Sequence, residues 1–157
     1  MSDRVRDERQ TRLMQLQLAQ VNVVASDLAA VVEFLRRIGL DIADTLPAWM
    51  GHRRRIDSTG TGLVADLDSS AFAAEWGGLA HGWAGVVLVL RVDDRAAVDA
   101  SYERARTAGA LSLRPPYDAF WGARTALVEG PDGLVFGFMS PIDPEARTAP
   151  PDPTTFR

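Results

Sequence analysis

Leu28, Val31, Val32, Leu35 and Ile38 recur at the i, i+3, i+4, i+7 spacing of one helix face, and the run stops at Gly39. An apolar stretch at 16–25 precedes it, with Ser26 and Asp27 as an N-cap between the two. The pattern returns later in the chain: an apolar stretch at 85–92, then Asp93 and Asp94, then Val98, Tyr102, Ala105 and Ala108 up to Gly109. Each unit predicts a strand, an acidic cap, an amphipathic helix and a glycine stop. Strand-like segments follow both helices, at 41–46, 49–56 and 61–68 in the first half and at 110–113, 123–128 and 134–139 in the second. A short helix over 70–76 and a glycine-rich stretch separate the halves.

This order predicts an α+β fold of two βαβββ modules, the first about 16–70, the second 85–142, with a linker at 71–84. One such module cannot close its own sheet. Two are expected to curve together into a cupped mixed sheet, helices outside and a cavity within. They form one domain over 13–142. Residues 1–12 alternate charges without apolar spacing and are expected to be disordered. The stretch 143–157 holds four of the nine prolines and reads as a second disordered tail.

Glu129-Gly130-Pro131-Asp132-Gly133 predicts a tight turn, with proline presetting one φ and Gly133 taking the left-handed conformation. Ahead of that hairpin lie Tyr117, Asp118, Phe120, Trp121 and Arg124, several rings beside one acid and one base. The rings either wall a ligand pocket or close the core at the end of the sheet. Asp118 and Arg124 either hold polar groups of a ligand or bridge across their own loop. His52-Arg53-Arg54-Arg55 is the one basic cluster, and on a strand Arg53 and Arg55 share a face. His52 and Arg54 share the other face; either one of these two pairs enters the cup and attracts an anion, or the strand is a solvated edge guarded by charge, and the edge is the expectation. Asp66 and Asp68 share a face by the same parity.

Paired βαβββ units, the opening VNVVASDLAAVVEFLRRIGLD and the closing VEGPDGLVFGFMSP resemble the vicinal oxygen chelate superfamily, the glyoxalase, bleomycin-resistance and extradiol-dioxygenase group. The resemblance implies a glyoxalase-like fold whose metal enzymes place one ligand, usually histidine or glutamate, on each of four cup-facing strands. Carried onto this chain, those positions fall at Gln20, at Val86 or Val87, at Gly137, and near Asp66 or Asp68. At least two of the four offer no side-chain donor, and a transition metal wants three or four. The expectation is therefore a protein without a metal or other cofactor. Outside these positions, His52 and His81 are the only histidines available to a noncanonical site.

Composition narrows the partners. A net charge of −4 disfavours nucleic acid, whose binders normally show a basic excess. No cysteine is present, which removes disulfides, thiolate metal sites and cysteine nucleophiles. The charged N-terminus lacks a signal-peptide core and no apolar run could span a membrane, so a cytoplasmic protein with no membrane partner is expected. The functional expectation is a small-molecule-binding protein, a homodimer, that captures an aromatic or amphipathic metabolite or drug through Tyr117, Asp118, Phe120, Trp121, Arg124, Gln20 and Asp66. A metal-dependent lyase, isomerase or dioxygenase is the alternative, and an interaction module with a filled cup the second.

Overall fold

β1 (Gln17–Ala25) and β4 (Gly85–Arg91) open the two halves and pair antiparallel at the centre of a seven-stranded sheet. In this computed structural model the described residues are 16–56 and 62–157. The segment 1–12, expected to be disordered, lies outside them. On one side β1 takes β3 (Val64–Ser69) in parallel, and β3 takes β2 (Arg53–Ile56) antiparallel. On the other, β4 takes β7 (Val135–Met139) in parallel, followed by β6 (Arg124–Glu129) and the edge strand β5 (Leu111–Asp118). The order β2-β3-β1-β4-β7-β6-β5 has the two-half symmetry that the repeated pattern predicts.

Three helices complete the fold: α1 (Leu28–Arg37), α2 (Ser70–Gly77) and α3 (Arg95–Thr107). The acidic caps act as expected, Asp27 accepting from Ala30 N at 3.0 Å and Asp94 from Ala97 N at 2.8 Å. Ser69 caps α2 by accepting from Phe72 N at 3.1 Å, and α2 ends at Gly78 in the left-handed conformation with φ of 64°.

Strand parity sorts the core. Val23, Ala25 and Leu67 face α1, while Val92, Ala126, Val128 and Phe138 face α3. The opposite face of the sheet is the cup. Val24, Val87, Val89, Leu127, Val135 and Met139 project there, and α2 closes one end with Phe72, Ala73 and Trp76. Each fully buried side chain of this kind contributes about 1.5–3 kcal/mol.

Four expectations change. Residues 41–46 form no strand, because the buried Arg54 takes Ala43 O at 2.8 and 3.1 Å and Asp44 Oδ1 at 2.9 Å, pinning the segment as irregular backbone. The first half is thus βαββ. The strand expected at 49–56 begins only at Arg53, since Pro47–Trp49 forms a 3-10 turn. β5 runs on to Asp118 through Pro115 and Pro116, so most of the expected aromatic loop is strand. Prolines are tolerated because β5 is an edge and its register with β6 slips at these positions.

The fourth change concerns 143–157, which packs on the domain instead of hanging free. Asp143 N donates to Gly122 O at 2.9 Å and Thr148 N to Phe120 O at 3.0 Å. Phe156 then stacks on Phe72 at 5.4 Å and meets Trp49 edge-on at 5.7 Å. Prolines suit this segment because it makes 3-10 turns and no ladder. Among the described residues no helix is long and apolar enough to cross a membrane.

Candidate functional site

The sheet's register builds the cup from rows. Gln20 on β1 stands level with Val89 on β4, which stands level with Gly137 on β7 and, beyond it, Leu127 on β6. The adjacent row runs from Arg55 on β2 through Asp66 on β3 and Asn22 on β1 to Val87. Half of the cup is therefore polar and half apolar. Between the halves lies a cavity of about 190 Å³, which Gln20, Asn22, Arg53, Arg55 and Asp68 line on one side. Trp76, Trp121, Leu127 and Met139 line the other, and Ile142 and Arg147 reach it from the C-terminal segment.

The polar half is one hydrogen-bonded network. Asp66, completely buried, accepts from Arg53 Nη2 at 2.7 Å and from Arg55 Nε at 2.9 Å. Gln20 Nε2 donates to Asn22 Oδ1 at 2.7 Å and to Asp66 Oδ2 at 3.3 Å. Asn22 Nδ2 in turn donates to Asp68 Oδ2 at 2.7 Å. Asp68 Oδ1 is buried without a hydrogen-bond partner, as is Trp76 Nε1. Burial pushes the Asp68 carboxyl up to about 7, against the opposing pull of Arg53 and of the Asn22 hydrogen bond. A carboxyl in that range can hold or release a proton near neutrality.

Of the residues expected to bind ligand, Gln20 and Trp121 line the cavity, and Asp66 lies within its wall. The other four sit elsewhere. Tyr117 donates its hydroxyl to Trp76 O at 2.8 Å under the Arg114 guanidinium, anchoring α2 to β5, and burial pushes its phenol up to about 12. Phe120 packs against Trp49 and Trp121, in the core. Asp118 accepts from Arg95 at 2.7 Å and from Arg124 at 3.2 Å, and Arg124 grips both oxygens of Asp99 at 2.8 and 2.9 Å. This pair bridges across β5, β6 and α3, the structural alternative.

Arg53 and Arg55 correct the edge-strand expectation: β2 is an edge, yet both side chains enter the cup, drawn by the carboxylate of Asp66. Asn22 was legible by parity, two residues from Gln20 on the same strand face. Arg147 carried no such signal, because only tertiary packing brings the C-terminal segment to the cup.

The metal-ligand positions implied by the resemblance do not make a metal site. Val87 faces the cup and Val86 the opposite side, so the valine row offers no donor, and Gly137 offers none either. Asp66 is held by two guanidinium groups, leaving amide side chains and Asp68. Among the described residues no three His, Cys, Asp or Glu side chains converge. The histidines have separate hydrogen-bond partners, His52 Nδ1 2.9 Å from Ser69 Oγ and His81 Nδ1 2.9 Å from Arg157 O.

A larger depression, about 770 Å³, opens on the α3 face between Leu16, Leu90, Ala105, Leu111 and Phe136. It holds no unpartnered buried polar atom, so the chemistry concentrates in the smaller cavity.

Comparison with known proteins agrees with this architecture. A family model described as the Glyoxalase/Bleomycin resistance protein/Dioxygenase superfamily matches residues 17–138. Among solved structures, the Mn(II)-bound glyoxalase from Novosphingobium aromaticivorans is 19% identical, with a TM-score of 0.55, over 87% of this chain and 42% of its own. A protein from Legionella pneumophila described as an NAD-dependent benzaldehyde dehydrogenase is 16% identical, with a TM-score of 0.54, over 77% of this chain and 96% of its own. The methylmalonyl-CoA epimerase from Mycobacterium tuberculosis is 18% identical, with a TM-score of 0.52, over 84% and 91%. At such identities the likeness is one of fold. No curated protein matches the chain.

Proposed function

The chain belongs to the glyoxalase/bleomycin resistance protein/dioxygenase superfamily, and from that premise we propose that it is a metal-free small-molecule-binding protein whose cup captures an aromatic or amphipathic ligand. The observation that carries this reading is the composition of the cup. Valine and glycine stand where the superfamily's metal enzymes keep donors, while a half-polar, half-aromatic cavity remains. Its volume of about 190 Å³ lies below the roughly 300–1,000 Å³ of drug-sized sites, which suits a monocyclic ligand. Trp121 supplies a ring to stack against, and the network of Gln20, Asn22 and Asp68 orients polar atoms.

Elemental analysis of untagged protein tests the metal-free part, with stoichiometric zinc, nickel, iron or manganese as the contrary result. A thermal-shift screen of metals and aromatic metabolites tests capture; stabilisation by metals alone would count against it. Homodimerisation belongs to the same reading and is supported by the exposed apolar side chains Phe34 and Ile38, 60% and 65% accessible. Light scattering checks it.

Turnover is the second reading, and Asp68 favours it. A buried carboxyl with one unpartnered oxygen in a cavity is placed to move a proton on a bound ligand. Chemical change of a captured ligand that Asp68→Asn abolishes would establish it.

A further inference from the structure

Two buried side-chain polar atoms among the described residues lack a partner, Asp68 Oδ1 and Trp76 Nε1, and both residues line the same cavity. Leaving such an atom unsatisfied costs about 1–3 kcal/mol, so a coincidence of two in one cavity points to a missing molecule that pairs with them. Their chemistry restricts that molecule. The indole N–H of Trp76 can only donate. Asp68 already accepts from Asn22 on Oδ2, and desolvation favours its neutral form, in which the carboxyl also donates. Both positions then want an acceptor.

The surrounding charge points the same way. Arg53, Arg55 and Arg147 line the cavity, against the carboxylate of Asp66 behind it. Among the described residues His52 is a further titratable group next to this network, half-buried with Nδ1 2.9 Å from Ser69 Oγ. Among the described residues that line the cavity, an ammonium head group would thus meet three guanidinium groups. Away from the head position, Val89, Leu127, Met139 and Ile142 offer apolar contact and Trp121 an aromatic ring.

Resting on the capture reading above, we infer that the cup takes a single-ring carboxylate, its head group accepting from Trp76 and Asp68 and its ring lying against Trp121. Calorimetric titration of the full chain at pH 6 with benzoate, benzamide and benzylamine tests this, because the three share a ring and differ in the head. Benzoate is expected to bind most tightly. Trp76→Phe, which keeps a ring but removes the donor, weakens benzoate about tenfold. Asp68→Asn, which keeps a donor at that position, leaves benzoate within about threefold. Benzamide or benzylamine binding as tightly as benzoate overturns the carboxylate assignment and leaves capture standing. Undiminished benzoate binding in a folded Trp76→Phe protein, or loss of it in a folded Asp68→Asn protein, overturns the assignment too. Failure of all three probes to bind overturns the single-ring carboxylate assignment, while capture stands or falls with the wider thermal-shift screen.

Discussion

Asn22 Nδ2 donates to Asp68 Oδ2 at 2.7 Å while the other oxygen of the same carboxyl is buried with no partner. Half-satisfied, Asp68 is held in place by the fold at the wall of the cavity. Folding raises its pKa from the ordinary 3.8 to about 7. The native state therefore binds a proton that the unfolded chain releases, so the stability this group contributes is fully present at low pH and is lost as pH rises through this interval. His52, whose pKa burial lowers, acts in the opposite sense, so the Asp68 contribution is read as a difference: the Tm of the wild type relative to Asp68→Asn should fall as pH rises from 4 to 7. Melting curves across this range check it.

Asp66 has the opposite character, a buried carboxylate gripped by Arg53 at 2.7 Å and Arg55 at 2.9 Å. Removing it leaves two cations facing a desolvated site. Asp66→Ala should cost about 3–5 kcal/mol in urea unfolding. Arg55→Ala, at a side chain 55% exposed, should cost much less, within about 1 kcal/mol.

Gly122 has a φ of 94°, and a Cβ there would stand 2.3 Å from Asp143 O. Gly122→Ala should therefore displace the segment that Gly122 O and Phe120 O hold. Limited proteolysis reads this out as faster cleavage within 143–157. Phe156→Ala removes the stack on Phe72 without that clash and should cost about 2–4 kcal/mol.

Trp121 is half-buried and lines the cavity beside Phe120. Trp121→Ala should weaken capture of an aromatic ligand about tenfold while moving Tm by only a few degrees. Equal affinity in the folded variant would remove Trp121 from the site.

Much of this fold was legible because period and punctuation agree. The stripe from Leu28 to Ile38 with its Asp27 cap, and the turn at 130–133, each appear where their residues place them. In that turn Asp132 itself adopts a left-handed φ of 58° beside Gly133 at 72°, a role aspartate tolerates better than most residues. Asp41 to Leu46 misled because apolar spacing cannot reveal that a buried Arg54 will claim the backbone of Ala43. The site was only partly legible. Parity correctly groups Gln20 with Asn22 and Arg53 with Arg55, but it cannot say which face becomes the cup. Tyr117 and Arg124 looked like ligand contacts because they crowd together in sequence, whereas their bonds to Trp76 O and Asp99 are long-range. Phe156 was hidden among prolines, and nothing local announces a ring that packs some eighty residues away.

The most direct test follows the indole N–H signals of the four tryptophans by NMR as benzoate is added to chelator-treated, untagged protein. With the Trp76 signal identified by its loss in Trp76→Phe, a saturable downfield shift of that signal, as its N–H gains an acceptor, is the predicted result. A Trp76 signal that stays fixed while benzoate is present in excess, or that moves only once a divalent metal is restored, would contradict a metal-free cup built around Asp68 and Trp76.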